Sequence, residues 1–124
     1  MSNRPDNQRR MDAVKRLVML ENGSPSVFIE RLSEFEWEYN GDPYVLSRSD
    51  VSNILIRYLD GKLRAEELEE WADAIELRED IRYEDESESW ISDVIFTLAS
   101  SALNGPITQD LVEGFLKSLD KGLN

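Results

Sequence analysis

Apolar residues recur every three or four positions along almost the whole of this chain, which is the spacing of one face of an α-helix. Val14, Leu17 and Val18 begin this pattern, and five similar stripes follow them. Because 124 residues suffice for one hydrophobic core and not for two, the pattern predicts a single all-α domain of about six short helices.

Capping residues predict where these helices begin and end. Ser24 followed by Pro25 predicts the start of the second helix, and Ser47 with Asp50 forms a variant of the capping box before the third. The predicted helices cover about 12–20, 25–39, 48–60 and 65–77, then from 87–89 to about 99, and from 109 to just before Gly122. Residues 1–10 are predicted to form a disordered N-terminal tail, and residues 11–124 the helical domain.

Two segments do not follow the helical spacing. Residues 34–39 alternate strictly between acidic and aromatic side chains before Asn40-Gly41, so a β-hairpin there competes with the end of the second helix. Any strand is expected within residues 34–46. Residues 80–88 are strongly acidic and are predicted to be a loop.

The turns between helices share a pattern. Residues 59–68 align with residues 103–112, with Gly61 on Gly105, and residues 20–25 are a looser third copy. A glycine at this position supplies the left-handed residue that ends a helix, and the apolar residue after it packs into the corner. We therefore expect the helices to be arranged as stacked αα-hairpins.

The overall charge restricts the classes of partner. The chain carries 26 acidic and 14 basic residues and has a net charge of −12, which disfavours binding to nucleic acid or to an anionic membrane and favours a basic protein partner. It contains no cysteine and no long apolar run, so a cytoplasmic protein without a membrane span is expected. The sequence gives no signal for an oligomeric state.

The acidic residues are concentrated in one part of the chain. Thirteen lie between residues 66 and 93, against two arginines in the same segment. The fourth helix turns most of its carboxylates away from the apolar stripe formed by Leu68, Trp71 and Ile75, and the following loop adds more. Such a surface can bind a basic partner, or it can simply be a solvated face. The candidate partner-binding residues are Glu66, Glu69, Glu70, Asp73, Glu76, Asp80, Glu84, Asp85, Glu86 and Glu88.

An enzymatic role finds little support in the composition. Without histidine or cysteine the chain lacks the commonest nucleophile–base pairs and metal ligands. Residues 66–70 read EExxE and resemble half of the magnesium site of all-helical nucleotide pyrophosphatases, but the ExxD half is missing. The acidic residues 80–88 also lack the order and the glycine of a calcium-binding EF-hand loop. We therefore predict no cofactor, no metal site and no catalytic residues.

Two groups of residues carry a family resemblance. These are residues 14–18 with 28–32, and Tyr58-Leu59-Asp60-Gly61 followed by residues 65–71. Short helices joined by a glycine corner and followed by an acidic helix with a tryptophan resemble small bacterial immunity proteins of the colicin D and contact-dependent-inhibition type. The resemblance implies an inhibitor whose acidic surface covers the active site of a toxin, often a basic nuclease.

Three functions therefore compete. The first is an immunity or antitoxin-like inhibitor that binds a basic toxin, and the second is a carboxylate-metal enzyme acting on a phosphorylated small molecule. The third is an adaptor domain without catalytic activity. The concentration of charge in the fourth helix favours the first of these, because oppositely charged surfaces steer association.

Overall fold

The computed structural model describes residues 4–20, 25–33, 35, 41–76 and 78–122. It is mostly helical, as the sequence predicts, with one short two-stranded sheet among the described residues. No helix in this part of the chain is both long and apolar enough to cross a membrane. In chain order the elements are α1 (Arg4–Met19), α2 (Pro25–Leu32), β1 (Tyr44–Leu46), α3 (Arg48–Leu59), α4 (Ala65–Glu76), β2 (Ile81–Tyr83), a 3₁₀ turn (Asp85–Ser87), α5 (Glu88–Ala99), α6 (Ser101–Asn104) and α7 (Gln109–Gly122).

Helix α4 contributes the largest side chain of the core, the fully buried Trp71. The apolar stripe predicted for this helix is buried along its whole length, and the stripe predicted for α5 is buried as well. These two helices pack against each other more extensively than any other pair of described elements. Helices α1 and α2 form one of the predicted hairpins, and α7 lies against α3.

The C-terminal end of α1 is held by side chains from two other helices. The indole Nε1 of Trp71 donates to the carbonyl oxygen of Val18 at 3.1 Å, and Arg57 Nη2 of α3 donates to the carbonyl oxygen of Leu20 at 2.9 Å. The last carbonyls of a helix have no partner within it, so these bonds satisfy groups that burial would otherwise leave unpaired. Leu20 itself is buried and adopts a left-handed backbone with φ of 45°, which ends the helix.

The capping box predicted at the start of α3 is confirmed. The backbone nitrogen of Asp50 donates to Ser47 Oγ at 3.0 Å, and the backbone nitrogen of Ser47 donates to Asp50 Oδ2 at 3.2 Å. The same carboxylate oxygen accepts a hydrogen bond from the hydroxyl of Tyr44 in β1. Burial, this hydrogen bond and the charge of Asp50 raise the pKa of Tyr44 to about 12.

The two glycine corners that the structure describes have the predicted backbone. Gly61 has a φ of 81° and Gly105 a φ of 97°. Residues other than glycine rarely adopt a positive φ of this size. Leu63 and Ile107 follow these glycines and are buried, as the pattern of the turns predicts. The third corner includes Gly23, which lies outside the described residues.

The two strands correct the prediction for residues 80–88. Strand β1 lies within the segment expected to hold any strand, but β2 lies in the acidic segment predicted to be a loop. The strands are parallel, with Tyr44 beside Ile81 and Leu46 beside Tyr83. Ile81 and Leu46 are buried, so a pairing between distant segments converts part of the predicted loop into a strand.

Two helix ends also differ from the prediction. Residues 4–10 belong to α1 and not to a disordered tail, and Arg10 is buried within the fold. Helix α2 ends at Leu32, followed by a turn at Ser33, whereas the prediction extended it to residue 39. The competing hairpin falls mainly on residues 34 and 36–40, which lie outside the described part of the chain.

Two smaller differences from the prediction lie in the C-terminal part of the chain. The one-turn helix α6 was not predicted, because its four residues are too few to show a helical stripe. Gly122 lies inside the last helix rather than beyond it. Trp90 links α5 to α7, since its indole Nε1 donates to the carbonyl oxygen of Phe115 at 3.0 Å.

We expect Trp71→Ala to lower the free energy of unfolding by about 3–5 kcal/mol, because it leaves a large cavity in the core. Trp71→Phe keeps most of the apolar volume but leaves the Val18 carbonyl without its partner, so a smaller loss of about 1–3 kcal/mol is expected. Urea unfolding followed by circular dichroism measures both. Equal losses in the two variants would show that the hydrogen bond to Val18, which both variants lack, accounts for the role of this residue, whereas wild-type stability of Trp71→Phe would show that packing alone does.

Candidate protein-binding surface

The outer face of α4 carries a row of carboxylates. Since side chains three and four residues apart lie on one helix face, burial of Leu68, Trp71 and Ile75 turns the acidic residues outward. The structure places four of the sequence-predicted residues there as exposed side chains, and we call them the acidic surface: Glu66, Glu70, Asp73 and Glu76.

No cation neutralises this surface from within the described part of the molecule. The only α4 carboxylate with an ion pair among the described residues is Glu67, which faces Arg64 Nε at 3.5 Å. The four members of the acidic surface take part in no such pair. Like charges on one helix face repel each other, so a basic partner that approaches this face relieves an existing repulsion.

Glu69 lies at the edge of the acidic surface and is half-buried. Its carboxylate accepts a hydrogen bond from the hydroxyl of Ser101, the first residue of α6. This bond fixes the corner between α5 and α6 beside α4. Glu69 therefore has a structural contact of its own, in addition to the negative charge that it adds at this edge.

Two exposed apolar residues lie at this same corner. Leu103 in α6 is 83% exposed, and Phe96 in the last turn of α5 is 52% exposed. Neither residue is among the candidate binding residues that the sequence predicts. Phe96 lies off the buried stripe of its helix, and this could have indicated an outward position.

The predicted site residues in the segment after α4 have different surroundings. The carboxylate of Glu84 accepts from the backbone nitrogen of Arg48 at 3.1 Å, which fixes the start of α3. Asp85 pairs with Arg82 at 2.9 Å on the surface, whereas Glu86 and Glu88 are exposed. Burial, together with the charge of Glu76, raises the pKa of Tyr83, so β2 and the end of α4 are electrostatically coupled.

Asp80, a candidate binding residue in the sequence, is not exposed and does not belong to the acidic surface. Its side chain is fully buried, and one carboxylate accepts from Arg10 Nε at 2.7 Å and from Arg78 Nε at 2.7 Å and Nη2 at 2.8 Å. Burial acts to raise the pKa of this carboxyl, but the hydrogen bonds and charges of Arg78 and Arg10 together lower it below its usual value. A partner could reach this carboxylate only if the ion pairs opened.

Carboxylates of the described residues do not gather into a metal-binding arrangement. No group of three or more acidic side chains in this part of the chain is placed to hold a metal ion. Divalent cations such as Mg²⁺ need several oxygen ligands around one point, and the α4 carboxylates are instead distributed along a helix. The arrangement suits contact with an extended charged surface.

Comparison with known protein families, with curated proteins and with solved structures gives no match to this chain.

We expect Asp80→Asn to lower the free energy of unfolding by about 3–5 kcal/mol, because the buried Arg10 loses its counter-charge. The two arginines hold the pKa of Asp80 in the folded protein below its ordinary value of 3.8. The ionised carboxylate therefore stabilises the fold above pH 3.8, and this stabilisation is lost as the pH falls through the folded-state pKa. The wild type should therefore lose stability in acid more steeply than the variant.

Urea unfolding at neutral pH and at several acidic pH values measures this difference. Asp93→Asn is the matched control, because Asp93 is exposed on α5 and forms no ion pair among the described residues. If both variants kept the wild-type stability and acid dependence, the ion pairs of Asp80 would contribute nothing to folding.

Proposed function

We propose that this protein binds a basic protein partner through the acidic surface of α4 and inhibits it, in the manner of an immunity protein or antitoxin. The observation that carries the proposal is the row of exposed carboxylates on α4 that form no ion pair with any described residue, held on a helix whose opposite face is buried in the core. A rigid support of this kind presents the charges in a fixed arrangement before binding.

The charge of the whole molecule supports a basic partner. A net charge of −12 creates a field that attracts a positively charged protein from a distance and repels nucleic acid and anionic lipid. Such complementarity mainly speeds association and selects among partners. It also makes binding sensitive to salt, because exposed charges are screened over about 8–10 Å at physiological ionic strength.

The apolar corner beside α4 supports a protein rather than a small cation. Stable protein interfaces combine a few buried apolar anchors with a polar rim. Leu103 and Phe96 are exposed apolar groups of the required kind, and the hydrogen bond between Ser101 and Glu69 holds their corner next to the acidic surface. Charge alone would give weaker and less specific binding.

An inhibitory role follows from the chemistry of a basic target. An enzyme that acts on nucleic acid binds phosphates through a basic surface around its active site. A row of carboxylates competes for the same positive groups and blocks access to them. A basic nuclease is therefore the partner class that we propose, in agreement with the resemblance to bacterial immunity proteins.

We expect the combined substitution Glu66→Lys, Glu70→Lys and Asp73→Lys to abolish this binding while leaving the fold intact. The three side chains are exposed, and surface substitutions usually change stability by less than about 0.5 kcal/mol each. Charge reversal turns attraction into repulsion, so association should slow and its salt dependence should weaken or invert. Association rates with the partner captured from cells, measured across a salt series, give this result.

The control carries the same change of charge elsewhere: Glu30→Lys on α2, Asp60→Lys after α3 and Glu113→Lys on α7, all at exposed positions. It should slow association slightly through net charge and keep most of the affinity. Equal effects of the two triple variants would show that the total charge matters and that the α4 surface does not.

We expect Leu103→Asp to leave stability unchanged, because the side chain is 83% exposed, and to weaken partner binding by about tenfold or more through loss of an apolar anchor. Calorimetric titration of the captured partner measures the affinity. Ile56→Asp is the control, since Ile56 is an exposed apolar residue on α3. Unchanged affinity of the Leu103 variant would place the α5–α6 corner outside the interface.

Inhibition is tested separately from binding. The captured partner should hydrolyse nucleic acid alone and lose this activity when the wild-type protein is added in equal amount. A partner that binds through α4 but has no activity to inhibit would favour the adaptor function over the inhibitor.

A further inference from the structure

A basic pocket lies between α1 and α2, and its lining shares no residue with the acidic surface of α4. Its volume is about 400 Å³, which is within the range of roughly 300–1,000 Å³ that is typical of small-molecule sites. The lining residues are Arg9, Asp12, Ala13, Arg16, Arg31 and Phe35. The described lining thus contributes three arginines and one aspartate, in a strongly acidic protein.

The fold fixes the face of α1 that lines this pocket. Arg9 and Arg16 are seven residues apart, which is two helical turns, so their side chains leave the same side of the helix. Arg10, the next residue, is buried, pairs with Asp80 at 2.7 Å, and has its guanidinium carbon 5.9 Å from the centre of the Phe35 ring. This buried ion pair prevents the helix from rotating, and it therefore keeps Arg9 and Arg16 turned toward α2.

Two of the arginines keep their hydrogen-bonding capacity available. Within the part of the chain that the structure describes, the guanidinium groups of Arg16 and Arg31 form no hydrogen bond and no ion pair. The guanidinium carbon of Arg9 lies 6.0 Å from the centre of the Phe35 ring, a cation–π distance. The pocket thus offers charged donors beside an apolar aromatic wall.

We propose that this pocket binds a small phosphorylated compound. The planar guanidinium fork matches the oxygens of a phosphate group and binds them through paired, charge-assisted hydrogen bonds. Because the net charge of −12 repels anions at long range, an anion bound here is held by the local arginines rather than by the general field. Asp12 accepts hydrogen bonds from hydroxyl or amino groups of the same ligand.

The size of the pocket and the Phe35 ring in its wall determine which phosphate compounds should bind most tightly. A pocket of about 400 Å³ exceeds the space that a single inorganic phosphate fills, so a larger compound should bind more tightly. Pyrophosphate contributes further charge, whereas an organic phosphate such as AMP adds a ring that can contact Phe35. The order of their affinities reports which part of the pocket dominates.

The test titrates the full chain with inorganic phosphate, pyrophosphate, AMP and citrate at constant ionic strength, by calorimetry and by amide chemical shifts. We expect pyrophosphate or AMP to bind more tightly than phosphate and citrate and to shift the amides of α1 and α2. Arg16→Gln and Arg31→Gln should each weaken binding by about tenfold, the cost of roughly one charge-assisted hydrogen bond.

Lys15→Gln is the matched control, because it removes the same charge from the exposed surface of α1 at a position that does not line the pocket. Its affinity should stay close to that of the wild type. Failure of every phosphate compound to bind at millimolar concentration would overturn the proposal. Equal weakening by all three variants, or binding of citrate as tight as that of pyrophosphate or AMP, would overturn it as well.

Because circular dichroism and unfolding of each arginine variant are measured beside the titrations, a loss of binding is attributed to the pocket only when the fold is retained. Should both glutamine variants unfold, Arg16→Lys and Arg31→Lys provide the second test. They keep the charge but lose the planar fork, and undiminished binding by both would contradict paired guanidinium contacts.

Discussion

The buried carboxylate of Asp80 is the interaction on which the rest of this structure depends. Removing an ionised group from water costs several kcal/mol, and the two guanidinium groups of Arg10 and Arg78 offset that cost. The backbone carbonyl of the same residue accepts from the nitrogen of Tyr44 at 2.8 Å and begins the strand pairing. One residue thereby joins the N-terminal helix, the segment that follows α4 and the small sheet, and it sets the rotation of α1 that shapes the basic pocket.

The features that the sequence predicts correctly are those encoded within a few neighbouring residues. The apolar stripes of α3, α4 and α5 follow from helical spacing, and the capping box of Ser47 and Asp50 requires only residues three apart. The left-handed glycines at 61 and 105 follow from the absence of a β-carbon. Exposure of Glu66, Glu70 and Asp73 follows in turn from the burial of the opposite face of their helix.

Apart from the short helix α6, the main features that local sequence patterns do not predict depend on residues far apart in the chain. An acidic residue such as Asp80 in a polar segment is indistinguishable from its exposed neighbours until Arg10, seventy positions away, is placed beside it. Likewise β2 has three residues and becomes a strand only by pairing with β1. The pocket combines residues of two helices and Phe35, and nothing in the local pattern of any one of them indicates it.

The anchoring of α1 has a consequence for the order in which the chain is synthesised. Its partners arrive late, because Trp71 is 53 positions beyond Val18 and Asp80 is 70 beyond Arg10. At translation rates of about 5–20 residues per second, the newly made helix waits roughly 3–14 s before either partner has been added. During that interval only α2, β1 and α3, which precede α4 in the chain, are available to cover its apolar side. The apolar side of α1 is therefore only partly covered until Trp71 has been synthesised.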